Sequence, residues 1–261
     1  MAFTIAMTGK GGVGKTTLSA LTVRHFAAAG ANPVLAVDAD SNINLHELLG
    51  IPCPPTVGGI REDARSRAAE LKGISKHEFL DLRVNEALVE QRGYDLLAMG
   101  RPEGQGCYCF ANNVLRDVLQ KLAANYHTIV LDSEAGLEHI ARRTLFALDW
   151  LVLVSDCTVR GVRTAARISA LADEVKLPAA HRGLVVNRVA DGILPIAVHA
   201  EIEASGLDLL AAIPFDPSVA AMDAGGACVD DIPAGAPVRL AAQSLIDKLL
   251  SPAVRRDLDV A

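Results

Sequence analysis

The sequence predicts a single α/β domain, built on a mostly parallel sheet with helices on both faces. Its 261 residues suffice for one large domain. Between residues 53 and 92 the chain becomes polar and charge-rich, which predicts a helical insertion at one edge of the 1–261 domain. Apolar runs bounded by turn residues alternate elsewhere with segments of helical period. The predicted strands are Phe3–Thr8, Pro33–Val37, Tyr94–Met99, Thr128–Leu131, Trp150–Val154, Gly183–Val186 and Leu209–Ile213.

Charge and composition narrow the classes of partner. With a net charge of -6, the chain lacks the broad positive potential that non-specific DNA binding requires. Its 4% aromatic residues give little surface on which single-stranded bases could stack. The N-terminal segment lacks the pattern of a signal peptide, and the apolar run 148–156 is too short to cross a bilayer. We therefore expect a cytoplasmic protein without nucleic-acid or membrane partners.

The glycine-rich segment GKGGVGKTT (9–17) lies between a predicted strand and a predicted helix, and it matches the pattern of a phosphate-binding loop. In such a loop, backbone N–H groups and the helix N-terminus surround the phosphates of ATP or ADP. Lys15 is expected to reach the β- and γ-phosphates, and the Thr16 hydroxyl is expected to bind Mg²⁺. The predicted nucleotide-binding residues of the loop are Gly9, Gly11, Gly12, Val13, Gly14, Lys15, Thr16 and Thr17.

A second lysine, Lys10, stands early in this loop. The string resembles the deviant Walker A motif of the family that includes septum-positioning and plasmid-partition ATPases, the nitrogenase iron protein and nickel-insertion ATPases. The resemblance implies ATP hydrolysis by a homodimer in which Lys10 reaches the nucleotide of the other subunit. There it would oppose the charge that develops during phosphoryl transfer.

Two further segments carry carboxylates at predicted strand ends. Segment 37–45, VDADSNINL, is similar to the family's switch I, which implies that Asp40 positions the attacking water and Asp38 supports the Mg²⁺ shell. Ser41 replaces the proline common in the family, which removes stiffness and no carboxylate. Asp132 ends the apolar run 129–131 as a Walker B carboxylate should, holding Mg²⁺ through a water. Helix capping is the alternative role for these carboxylates.

The chain also resembles the family in two later segments. Asn187 and Arg188 match a strand-end pair that contacts adenine, and Pro214 lies in a segment similar to the one that closes the base pocket. Taken alone, an Asn at a strand end is more often a turn residue.

Cys107 and Cys109 form a Cys-x-Cys pair in a glycine-rich loop. This spacing can place two sulfurs on one side of an extended chain, which is half of a four-thiolate metal site that a twofold axis would complete. The isolated Cys53, Cys157 and Cys228 are expected to be small buried apolar residues.

Together with AGLEHIARRT (135–144), the cysteine pair resembles the CooC-type nickel-insertion ATPases. That resemblance implies a metallochaperone that binds Ni²⁺, or Zn²⁺ in its absence, between two subunits. Its client would be carbon monoxide dehydrogenase or a related nickel enzyme. The alternatives are a positioning or partition ATPase of the MinD/ParA type and an iron-sulfur electron-transfer ATPase.

Overall fold

The computed structural model describes residues 2–30, 33–59, 76–100, 120–133 and 147–250. Their strands are β1 (Phe3–Gly9), β2 (Val34–Asp38), β3 (Val89–Gln91), β4 (Tyr94–Ala98), β5 (Thr128–Asp132), β6 (Leu148–Asp156), β7 (Ala179–Val189) and β8 (Leu209–Pro214). Their helices are α1 (Lys15–Ala28), α2 (Leu45–Leu48), α3 (Lys76–Ala87), α4 (Val159–Glu174), α5 (Ile196–Ser205), α6 (Pro217–Gly225) and α7 (Pro237–Leu249), with 3-10 turns at Ala190–Gly192 and Val229–Asp231.

The strands form one eight-stranded sheet in the order β3-β4-β2-β5-β1-β6-β7-β8. Every neighbouring pair is parallel except β3 with β4, which pair antiparallel at the edge. This confirms the predicted α/β class and all seven predicted strands. The exposed three-residue strand β3 was not predicted, and it lies within the polar stretch expected to be only helices and loops.

Two apolar cores cover the two faces of the sheet. On one face, Val162 and Ile168 of α4 and Ile202 of α5 pack against strand residues such as Leu153. On the other face, α1 and α7 pack together around β1, and Phe26 is fully buried there. Burial on both faces explains why the central strands read as continuous apolar runs.

Because the central strands run in the same direction, their carboxyl ends lie along one edge of the sheet. This edge carries the β1–α1 turn, Asp38, Asp132 and Asn187, and it is where a parallel sheet binds ligands. We call it the carboxyl edge, and we call the opposite one the amino edge. Among the described residues, no helix is long and apolar enough to cross a membrane.

Candidate nucleotide-binding site

The loop between β1 and α1 needs glycine at two positions for different reasons. A Cβ on Gly9 would lie 2.1 Å from the carbonyl oxygen of Val154 in the adjacent strand, so only a residue without a side chain fits. Gly14 precedes α1 with φ 92, and a Cβ there would lie 2.3 Å from Asn187 Nδ2. The main chain is therefore held close to the sheet, and the N-terminus of α1 opens toward solvent as an anion site.

The two lysines of this loop are placed differently. Lys15 is 7% exposed, and its ammonium donates a hydrogen bond of 3.1 Å to the carbonyl oxygen of Lys10. The Lys10 side chain is exposed. Lys15 is thus placed over its own loop, while Lys10 projects toward solvent.

A cavity of about 440 Å³ lies over this loop, and it joins segments that are far apart in sequence. Asp40 enters from the segment after β2, and Arg188 enters from the carboxyl end of β7. The lining residues are Gly11, Gly12, Gly14, Lys15, Thr16, Thr17, Asp40, Asn44 and Arg188. This size falls within the range of small-molecule sites. Loop glycines, two cations and one carboxylate therefore surround a space suited to a nucleotide.

Asp38 and Asp132 face each other in register at the ends of the neighbouring strands β2 and β5. Both are at most 2% exposed. Asp38 accepts hydrogen bonds from the backbone N–H groups of Asp40 (3.1 Å), Asn44 (2.8 Å) and Leu45 (2.9 Å). Burial raises the pKa of Asp38, and these three N–H groups oppose that rise. Asp38 thus shapes the loop that carries Asp40.

Asp132 is equally buried and interacts with side chains from α1. Burial raises its pKa to about 7, and the nearby Asp38 charge adds to the rise. The Thr16 and Ser19 hydroxyls and the Lys15 ammonium oppose it, with Ser19 Oγ donating to Asp132 Oδ1 at 3.0 Å. Thr16, Asp38 and Asp132 are oxygen donors of the kind Mg²⁺ prefers, and the two carboxylates lie buried in register at the ends of neighbouring strands. These residues therefore fit Mg²⁺.

The three residues expected around adenine are only partly gathered at the cavity. Arg188 lines it with φ 59, whereas Asn187 lies behind the loop. Asn187 Nδ2 donates to the carbonyl oxygen of Val13 at 2.8 Å, and its Oδ1 accepts from the N–H of Arg188 at 2.9 Å. Pro214 is half-buried at the end of β8. In this state Asn187 braces the phosphate loop, and its contact with adenine stays a prediction.

Two residues of the site were not predicted, namely Ser19 and Asn44. Ser19 follows Lys15 by one helical turn, so helical period gives a signal for it. Asn44 lies inside the segment similar to switch I, but only the carboxylates of that segment were assigned roles.

The cysteine pair Cys107 and Cys109 lies outside the described residues. Of the other cysteines, Cys53 is exposed, contrary to the expectation of burial, while Cys157 and Cys228 are half-buried. Within the described ranges, no group of three or more His, Cys, Asp and Glu side chains is arranged to hold a metal ion.

Comparison with known proteins shows which family this chain resembles. A model of the CobQ/CobB/MinD/ParA nucleotide binding domain matches residues 4–228. An uncharacterized ATP-binding protein of Methanocaldococcus jannaschii is 37% identical over 250 residues, which are 95% of this chain and 98% of that protein. The carbon monoxide dehydrogenase accessory protein CooC of Rhodospirillum rubrum is 34% identical over 244 residues, covering 88% of this chain and 90% of its own.

Solved structures share the fold at lower identity. The septum site-determining protein MinD of Pyrococcus horikoshii, complexed with Mg-ADP, gives a TM-score of 0.68 at 20% identity and covers 97% of this chain and 98% of its own. A ParA family ATPase of Chlorobium tepidum gives 0.70 at 18% identity, covering 96% and 99%. The family model matches residues 4–228, and the glycine-rich loop of this chain lines the cavity described above. This chain therefore belongs to the CobQ/CobB/MinD/ParA nucleotide-binding family and is an ATPase.

Proposed function

We propose that this chain is a cytoplasmic, homodimeric metallochaperone whose ATPase cycle controls the binding and delivery of Ni²⁺, or of Zn²⁺ in its absence. Cys107 and Cys109 of both subunits would bind the metal, and the client would be carbon monoxide dehydrogenase or a related nickel enzyme. The observation that carries this proposal is the Cys-x-Cys pair in a chain 34% identical to a carbon monoxide dehydrogenase accessory protein over 88% of its length.

The ATPase part of the proposal assigns a task to each cavity residue. Lys15 and the loop N–H groups would bind the phosphates, and half-buried Asp40 would orient the water that attacks the γ-phosphorus as the bond to the β-phosphate oxygen breaks. Thr16, Asp38 and Asp132 would hold Mg²⁺, which would neutralise phosphate charge. Lys10 is exposed, as expected of a group that acts on a second subunit's nucleotide.

The described residues also support a link between the nucleotide and the cysteine pair. The chain leaves β4 at the carboxyl edge, beside β2, where the Met99 N–H donates to the Asp38 carbonyl oxygen at 2.8 Å. Gly58, from the segment after α2, donates to the Met99 carbonyl oxygen at 2.9 Å. Thr56 pairs with Ala98 in the same place. Asp38, inside the switch I segment, and the chain at Thr56 and Gly58, beyond its end, therefore contact the end of β4, and the cysteine pair follows that strand in sequence.

Two other functions suit the same family. The first is that of a positioning or partition ATPase, which shares the fold but gives no role to the paired thiols Cys107 and Cys109. An iron-sulfur ATPase requires a cysteine soon after the Walker B carboxylate, where this chain has Ser133 and then residues 134–138 without cysteine. An iron-containing, coloured purified protein would favour that alternative.

Metal analysis in two nucleotide states tests the proposal. The full chain, loaded with Ni²⁺ or Zn²⁺, should hold one metal per dimer, more tightly with a non-hydrolysable ATP analogue than with ADP, because each subunit supplies half the ligands. Affinity should fall below neutral pH, since thiolate binding releases protons.

Variants identify the ligands. Cys107→Ala and Cys109→Ala should each remove tight metal binding and metal-induced dimers, as measured by sedimentation, and both should retain ATP binding. Cys53→Ala, which changes an exposed single cysteine, is the matched control. Equal metal content and dimer fraction in wild type and Cys107→Ala would reject the shared thiolate site.

A further inference from the structure

A second cavity, of about 730 Å³, lies at the amino edge of the sheet, beside the end of α1 that points away from the phosphate loop. The C-terminal half of α1, the β3–β4 turn, the 3-10 turn at Val229–Asp231 and α7 form its walls. We call it the arginine cavity. Arg24 lies nine residues beyond Lys15 on the same helix, about 14 Å along its axis. The arginine cavity is therefore distinct from the nucleotide site.

The charge of the arginine cavity is opposite to that of the whole chain. Arg24, Arg92 and Arg239 line it together with His25, and Asp230 is the carboxylate among its lining residues. The whole chain carries a net charge of -6. Three guanidinium groups around one carboxylate leave a local positive excess, which favours an anionic ligand.

Protein contacts hold two of these guanidinium groups in place. Arg24 donates to the Leu49 carbonyl oxygen at 3.0 Å, pairs with Asp230 at 2.5 Å, and lies over the Tyr94 ring at 5.1 Å from its centroid. Arg239 donates to the Val229 carbonyl oxygen at 2.7 Å and lies 3.8 Å from Asp230. The same carboxylate therefore serves both arginines and can neutralise only one of their charges.

Donor groups remain on both arginines. The Nε groups of Arg24 and Arg239 find no acceptor within the part of the chain that the structure describes, but they are almost wholly buried, so a ligand would meet the terminal nitrogens of these side chains. The hydrogen bonds and ion pairs described above use one terminal nitrogen of each side chain, Nη2. A guanidinium that is fixed in position and retains donors is suited to bind a planar or tetrahedral anion through several hydrogen bonds. Arg92 adds a third cation from the exposed β3–β4 turn.

The remaining walls of the arginine cavity are largely apolar. Ala27 and Ala28 contribute accessible surface from α1, while Leu21 of α1 and Ala242 and Ile246 of α7 lie buried beneath. A hydrated inorganic ion would leave the accessible apolar surface uncovered, whereas a ligand with a non-polar body would cover it. We propose that the arginine cavity binds a small organic anion, with its carboxylate or phosphate group between Arg24, Arg239 and Arg92 and its apolar body against α1 and α7.

Three probes with the same aromatic body test this proposal on the full chain. Benzoate and phenyl phosphate carry the two anionic groups, and benzyl alcohol is the neutral control. Titration calorimetry is performed on protein saturated with Mg-ADP, so that the phosphate loop is already occupied. At least one of the two anions should bind saturably in the millimolar range. Benzyl alcohol should not.

Arginine variants then locate the binding. Arg24→Gln and Arg92→Gln should each weaken anion binding about tenfold or more, since each removes a charge-assisted hydrogen bond. Arg163→Gln is the matched control, because Arg163 is an exposed arginine of α4 that pairs with Glu201. Since Arg24 also contacts Tyr94 and Asp230, Arg92→Gln on the exposed turn keeps the test valid if Arg24→Gln fails to fold.

Three results would overturn the proposal. These are no saturable binding of either anion, equal binding of benzyl alcohol, and anion binding that survives Arg92→Gln unchanged. Each readout is independent of ATP hydrolysis and of metal content, so the outcome does not depend on the proposed metallochaperone function.

Discussion

The two ends of helix α1 face cavities that would bind anions by different means. At its N-terminus, a run of consecutive residues supplies backbone N–H groups and one buried lysine. At its C-terminus, the cations are side chains brought together from α1, the β3–β4 turn and α7. The first arrangement is fixed by local backbone conformation, and the second depends on tertiary packing. An anion site can thus be encoded in one segment or assembled from several.

Removing the Lys15 ammonium tests how much of the nucleotide affinity at the N-terminus of α1 comes from the backbone N–H groups alone. Lys15→Ala should weaken ATP-Mg²⁺ binding by about 2–4 kcal/mol, or roughly 30- to 1,000-fold, because a buried cation facing phosphate is lost. Calorimetry measures this. Lys10→Ala is the matched control and should retain binding, since its exposed side chain is assigned to the other subunit. Wild-type affinity in Lys15→Ala would contradict the phosphate-loop assignment.

Asp40→Ala separates binding from chemistry at the same site. The variant should bind ATP but hydrolyse it about 100-fold more slowly, since the missing carboxylate orients water and does not hold the phosphates. Phosphate release and sedimentation with ATP should show slow turnover and a persistent dimer. Asp208→Ala, at an exposed aspartate before β8, should behave as wild type. Normal hydrolysis by Asp40→Ala would remove this residue from the mechanism.

Asp132→Asn reports on the carboxylate pair without any ligand. Because the folded-state pKa of Asp132 is raised to about 7, the folded protein binds more protons than the unfolded chain between about pH 4 and 7. Stability linked to this group is therefore present below pH 4 and lost as pH rises to 7. In nucleotide-free and metal-free protein, the free energy of unfolding should fall by up to about 1 kcal/mol per pH unit relative to Asp132→Asn. Denaturant titrations at several pH values measure this, and parallel profiles would contradict the assignment.

The fold was predictable because central strands buried on both faces are continuous apolar runs with turn residues at their ends. Strand β3 escaped prediction because Val89–Gln91 is short, exposed and embedded in polar sequence. Strand β6 extends beyond the predicted Trp150–Val154 because its ends carry Asp149 and Asp156, which interrupt the apolar pattern.

The two cavities also differ in how far the sequence predicts them. The phosphate loop was found because its residues are consecutive and each has a recognisable role. Arg24, Arg92 and Arg239 are far apart in sequence, and nothing in their local patterns distinguishes them from other surface cations. The position of Asn187 could not be foreseen either, because its hydrogen bond to Val13 joins residues 174 positions apart.

The backbone hydrogen bonds that Asp38 accepts limit how this carboxylate can bind a cation at the carboxyl edge. A carboxylate offers about four lone pairs, two on each oxygen. Asn44 and Leu45 occupy both on Oδ2, and Asp40 occupies one on Oδ1. Counting donors from the described residues, one lone pair is left, so a hydrated cation would meet Asp38 through a single atom unless the loop first releases an amide. Ligation beyond that single contact would therefore require the Asp40 loop to change shape.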